Sequence, residues 1–108
     1  MKKLVSTFIE TANAFDVEGT LALFSSNAVI EDASVGKAFA GVEGVRRYME
    51  EFFVGYKTTS TLLSLERIGD FSVIARVDFT GDFGHEIGSL RFGIDSSGLI
   101  DRIDVDLE

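Results

Sequence analysis

Two adjacent acids close the apolar run "AVIED", in which Ala28, Val29 and Ile30 lead into Glu31 and Asp32. Strand alternation puts Asp32 on the side of Ile30 and turns Glu31 to the other face. An inward carboxylate among apolar groups would have its pKa raised by desolvation, which suits proton abstraction beside a carbonyl. The same residue could instead cap the loop that follows, accepting hydrogen bonds from loop amides. Glu86 shares the phase of Leu90 and Phe92 and could bring a second acid to the same pocket, as an acid–base partner. It also lies near the turn at Gly81 to Gly84, where strand ends are commonly solvated. Tyr48, midway along an apolar helical face that also carries Tyr56, could present its hydroxyl to a ligand or reach a rim partner from the core. If it serves only a ligand, losing that hydroxyl would leave stability nearly intact.

The remaining polar residues carry weaker signals. His85 is the only histidine, and simple alternation turns it outward with Arg76 and Arg91. With no cysteine and no second histidine, no metal site is expected. Asp101, Asp104 and Asp106 form no calcium-binding loop; Asp104 and Asp106 alternate with Ile103, Val105 and Leu107, as on a solvated or arginine-paired outer face. Glycine-rich nucleotide loops, HExxH and GxSxG are absent, and no cofactor is expected. The formal charge of −8 and the lack of a basic cluster exclude the simplest nucleic-acid and anionic-membrane readings. No apolar run approaches a membrane span. The opening "MKKLVSTFIETANAF" is interrupted by polar residues and is expected to be helix rather than signal. The missing cysteines fit a reducing compartment, and a cytoplasmic location is expected.

These residues need a scaffold, and 108 residues with 45% apolar content supply one domain spanning 1–108. Leu4, Val5, Phe8, Ile9, Ala12 and Phe15 follow helical spacing. Asp16 looks like the cap of a short second helix with Val17, Leu21 and Phe24 on its apolar side, stopped by Ser25-Ser26-Asn27. Ala28 to Asp32 is a short strand, and "ASVGKAFAG" an irregular connection. Val42, Val45, Tyr48, Met49, Phe52, Phe53 and Tyr56 mark a third helix ending near Gly55. From Thr58 the period becomes two. Four meandering strands follow, one with Phe71, Val73, Ala75, Val77 and Phe79 on one face, another with Glu86, Gly88, Leu90, Phe92 and Ile94, and a closing one with Ile103, Val105 and Leu107. Helices largely ahead of an antiparallel sheet imply an α+β domain with one sheet face covered.

This element order, with "NAFDVEGTLALF", "NAVIED", "GVEGVRRYMEEF" and "LRFGIDSSGLIDRIDV", resembles the NTF2-like superfamily over essentially the whole chain. That superfamily includes the SnoaL-like polyketide cyclases and the ketosteroid isomerases. The resemblance implies an NTF2-like (cystatin-like) cone: three N-terminal helices packed on a curved antiparallel sheet around an internal apolar pocket. In ketosteroid isomerases the acid ending the first strand is the general base, which the motif places at Asp32. Their oxyanion-hole tyrosine aligns with Phe8 and their protonated aspartate near Gly88, so both donors are missing, and steroid isomerisation by that arrangement is not expected. Members often dimerise through the outer sheet face, which here carries Ile74 and Ile87, so a homodimer is expected.

The combined expectation is a pocket for a small apolar or aromatic molecule, lined by Phe8, Tyr48, Phe52, Val77, Phe79, Glu86, Gly88, Leu90, Phe92 and Val105. Asp32 would be its general acid or base in a cofactor-free isomerase, cyclase or lyase acting on a carbonyl-bearing substrate. Two alternatives stand beside it: a carrier that binds without turnover, and a dimeric interaction module whose cavity is filled by its own phenylalanines.

Overall fold

The apolar stripe through Val5, Phe8 and Ala12 folds as α1 (Lys2–Asn13) in the computed structural model, which describes residues 1–108. Asp16 caps α2 (Val17–Leu21), its carboxylate accepting from the Gly19 amide at 2.9 Å. Two phenylalanines leave the helices to which their spacing assigns them. Phe15 lies beyond the end of α1 with φ 57 and is exposed. Phe24 opens β1 (Phe24–Asp32) and pairs with Ile100.

The stretch expected to be irregular contains β2 (Lys37–Ala40), which folds back on β1 so that Asp32 faces Lys37 and Ile30 faces Phe39. Four residues with one buried side chain, Phe39, carry too little alternation to announce a strand. The third helix begins as α3 (Gly41–Tyr48) and continues as a π-helical stretch, Met49–Val54. Four strands complete the chain: β3 (Thr59–Gly69), β4 (Ser72–Gly81), β5 (Gly84–Ile94) and β6 (Ile100–Leu107).

All six strands join one sheet in the order β2-β1-β6-β5-β4-β3. The sheet is mixed, not antiparallel throughout as expected, because β1 runs parallel to β6. Alternation reports which face a residue occupies and is silent on which distant strand lies alongside. The third helix follows β1 and β2, so the helices are not all N-terminal to the sheet. Register shifts in β3 at Leu62/Ser64 and Arg67/Gly69, and between β5 and β6 at Gly93/Ile94, mark bulges of the kind that bend strands.

One sheet face buries Val73, Ala75, Val77 and Phe79 of β4, Leu90 and Phe92 of β5, and Ile103 and Val105 of β6. Phe71, expected to continue the β4 set, lies in the β3–β4 turn and is 60% exposed. Phe8 joins the layers: its ring meets Phe92 at 5.4 Å, Phe24 at 6.1 Å and Phe53 at 6.3 Å, each edge-on. No helix is long and apolar enough to cross a membrane. Because Phe8 is enclosed by three rings that cannot collapse into its space, Phe8→Ala should lower the free energy of urea unfolding by about 3–5 kcal/mol.

Candidate functional site

The last inward residue of β1 is Asp32, and only 4% of its surface is exposed. Burial of a carboxylate is costly unless donors meet it, and three do. The Ser34 amide and hydroxyl donate to Oδ1 at 2.9 and 2.6 Å, and the Tyr48 hydroxyl donates to Oδ2 at 2.6 Å. Part of the capping role is therefore present, supplied by the first residues of the β1–β2 loop. The Tyr48 phenol is pushed well above its ordinary pKa, chiefly by burial and then by its hydrogen bond to the Asp32 carboxylate. It therefore keeps its proton and acts as a donor. Tyr48 is held by Phe39 at 5.1 Å and Phe52 at 5.0 Å between ring centroids.

Beside this pair is a cavity of about 320 Å³. Its walls are apolar: Phe52 and Phe53 from the π-helical stretch, Tyr56 beyond it, Phe79 of β4, Leu90 of β5, and Val105 and Leu107 of β6. Val35, Tyr56 and Phe83 also line it while remaining 43%, 45% and 44% exposed, so they form an apolar rim. Ser34, Thr58 and Glu86 complete the lining with Asp32 and Tyr48.

The π-helical stretch matters locally. It contributes the consecutive residues Phe52 and Phe53 to the same cavity. Its end is tied down by the Thr58 hydroxyl, which donates to the Phe52 carbonyl at 2.7 Å, and by the Thr58 amide, which donates to the Phe53 carbonyl at 2.8 Å.

Of the residues expected to line a pocket, Tyr48, Phe52, Phe79, Glu86, Leu90 and Val105 border this cavity. Phe8, Val77, Gly88 and Phe92 do not; they are buried in the packed core. Gly88 shows why. A Cβ there would come within 2.7 Å of the Asp106 carbonyl oxygen and 2.9 Å of Leu107 Cδ2, so Leu107 occupies the room a larger side chain would need. Glu86 is exposed, at the rim rather than deep in the wall. His85 points outward, beside Asp78. Of the outer-face acids Asp104 is arginine-paired, with Arg102 bridging it to Glu31, while Asp101 and Asp106 are exposed and make no arginine pair; Arg76 holds Glu108. Ser34, Val35, Phe53, Thr58, Phe83 and Leu107 were not expected at the site, and Tyr56, which shares the helical face of Tyr48, joins them in the lining. Phe83, an aromatic in a two-residue turn beside Gly84, was the readable signal among them.

Cavity and fold together define an NTF2-like, cystatin-like domain. The SnoaL-like domain family matches residues 5–97, and the chain belongs to that family. No curated protein matches it. Among solved structures it is similar to SalBIII, an epoxide hydrolase/cyclase-like enzyme of pyran ring formation in the polyether salinomycin. The two are 24% identical with a TM-score of 0.87, covering 99% of this chain and 89% of SalBIII. It is also similar to RV0760c of Mycobacterium tuberculosis in complex with estradiol-17beta-hemisuccinate, at 21% identity and a TM-score of 0.82, covering 94% and 88%. An NTF2-like protein of unknown function from Cytophaga hutchinsonii is 18% identical with a TM-score of 0.82, covering 99% and 88%.

Because the Tyr48 hydroxyl serves Asp32, its loss is not neutral in this geometry. Tyr48→Phe should cost about 1–3 kcal/mol in denaturant unfolding, the penalty for leaving a buried acceptor short of a donor.

Proposed function

We propose that this chain binds a small, largely apolar molecule in the cavity, and that Asp32 accepts a hydrogen bond or a proton from it. One observation carries the reading. A carboxylate offers about four acceptor positions, and Asp32, buried in the cavity wall, uses three on Ser34 and Tyr48. One position on Oδ2 is left for a ligand. The cavity volume of about 320 Å³ supports this reading over a module filled by its own phenylalanines. The steroid-like ligand in the RV0760c structure supports it by analogy of fold.

A second reading has Asp32 exchanging a proton during cofactor-free isomerisation, cyclisation or elimination, supported by the cyclase-like SalBIII and by the position of Asp32 at the end of β1. The geometry favours accepting a proton from a ligand hydroxyl or ammonium over making an enolate. A developing enolate oxygen would find little to stabilise it, since Ser34, Tyr48 and Thr58 already donate elsewhere. A homodimer through the outer sheet face belongs to the same proposal, supported by the half-buried Ile74 and Ile87 there. Sedimentation equilibrium should then give twice the protomer mass; a single-protomer mass at micromolar concentration removes the dimer.

Thermal-shift screening of small apolar molecules tests the main reading. A ligand at a hundred times its Kd should add about 2.7 kcal/mol of stability. Leu107→Trp, which enlarges a half-buried side chain in the cavity wall, should abolish that shift. A shift that survives in this variant places the ligand elsewhere.

A further inference from the structure

Six side chains in the cavity wall can hydrogen-bond: Asp32, Ser34, Tyr48, Tyr56, Thr58 and Glu86. Their protons are largely committed. Ser34 and Tyr48 donate to Asp32, and Thr58 donates to the Phe52 carbonyl, so each turns only lone pairs to a ligand. Asp32 and Glu86 are carboxyl groups that, when ionised, accept only. The one uncommitted side-chain proton belongs to Tyr56, which is 45% exposed at the rim. The interior is therefore a field of acceptors.

Charge and ring placement point the same way. No lysine or arginine lines the cavity. Lys37, the cross-strand partner of Asp32, forms no ion pair with it; its ammonium lies 5.4 Å from the Phe39 ring centroid and outside the cavity lining. The donors on Asp32 are all neutral, so no protein cation compensates its charge. From Tyr48 a continuous series of rings leads outward: Phe52 at 5.0 Å, then Tyr56 at 6.1 Å, then Phe83 at 6.1 Å. Aromatic faces attract cations, most strongly where water is excluded.

Resting on the cavity reading above, we infer that the cavity is built for an apolar cation, an aromatic or alicyclic amine whose ammonium donates to Asp32, rather than for a ketone or a carboxylate. A ketone brings only acceptors and would face acceptors. A carboxylate would meet two like charges, Asp32 and Glu86. An alcohol can satisfy the open position on Asp32 but leaves its charge uncompensated, whereas an ammonium supplies both the donor and the opposite charge.

Naphthylmethylamine, naphthylmethanol and naphthoate form a matched set that isolates the polar group, with affinities measured by calorimetry on the full chain. The amine should bind on the order of tenfold tighter than the alcohol, and naphthoate weakest of the three. Asp32→Asn should erase the amine's advantage over the alcohol. Glu86→Gln, at an exposed position that does not endanger folding, should weaken the amine alone by a smaller factor. An amine that binds no tighter than the alcohol overturns the inference and leaves the cavity reading standing. Amine binding that persists in Leu107→Trp also overturns the inference, because it marks adsorption to the acidic surface outside the cavity. Failure of all three probes overturns the inference together with the cavity reading.

Discussion

A carboxylate withdrawn from water has to be met by donors, and the polar end of this protein is organised around that requirement at Asp32. The demand is met from two directions. Ser34 wraps back from the β1–β2 loop to cover one oxygen, and Tyr48 reaches from α3 to cover the other. Since Tyr48 is also packed between Phe39 and Phe52, the same hydrogen bond fixes how the third helix sits on the first hairpin. The helix can shift only by uncovering a buried charge, which is expensive in a low-dielectric setting.

From that anchor the cavity follows. The helix passes into a π-helical stretch after Tyr48, and Phe52 and Phe53 of that stretch form one wall. The opposite wall comes from alternate residues of β4, β5 and β6. Closer to α1 the layers meet without a gap, because Phe8 fills the space between Phe24, Phe53 and Phe92. The division between solid core and open cavity is thus a matter of which aromatic rings are enclosed by others. Phe8 is enclosed by other rings, and Gly88 is covered by Leu107. Neither can offer a proton to a ligand.

The outer face of the sheet obeys different rules. It carries exposed pairs, Arg76 with Glu108 and Arg102 with Glu31 and Asp104. Such pairs contribute little to stability because water screens them. None of these pairs reaches the cavity, and no lysine or arginine lines it. The excess of acidic residues that gives the chain its charge of −8 therefore extends into the cavity, where Asp32 is met by neutral donors alone.

Much of this was legible from residue order. Periodicity placed Asp32 on the side of Ile30 and Glu31 opposite, turned His85 outward and located the third helix to within two residues, and residue type set Asp16 as a cap. Those are local properties: a side chain's face depends on its own dihedral angles and those of its immediate neighbours. Other features depend on groups far apart in the chain. The pairing of Phe24 with Ile100 and the parallel union of β1 and β6 arise from long-range hydrogen bonds with no periodic signature, and the strand at Lys37 to Ala40 is too short to show one. Whether an inward aromatic borders a cavity or fills it was equally hidden, since Phe8 and Phe52 have the same pattern and opposite outcomes. The sequence by itself determined the faces and the acid. Only the tertiary structure decided that Tyr48 and Ser34 would commit their protons to Asp32, because hydrogen-bond partners are chosen by distance and angle in space.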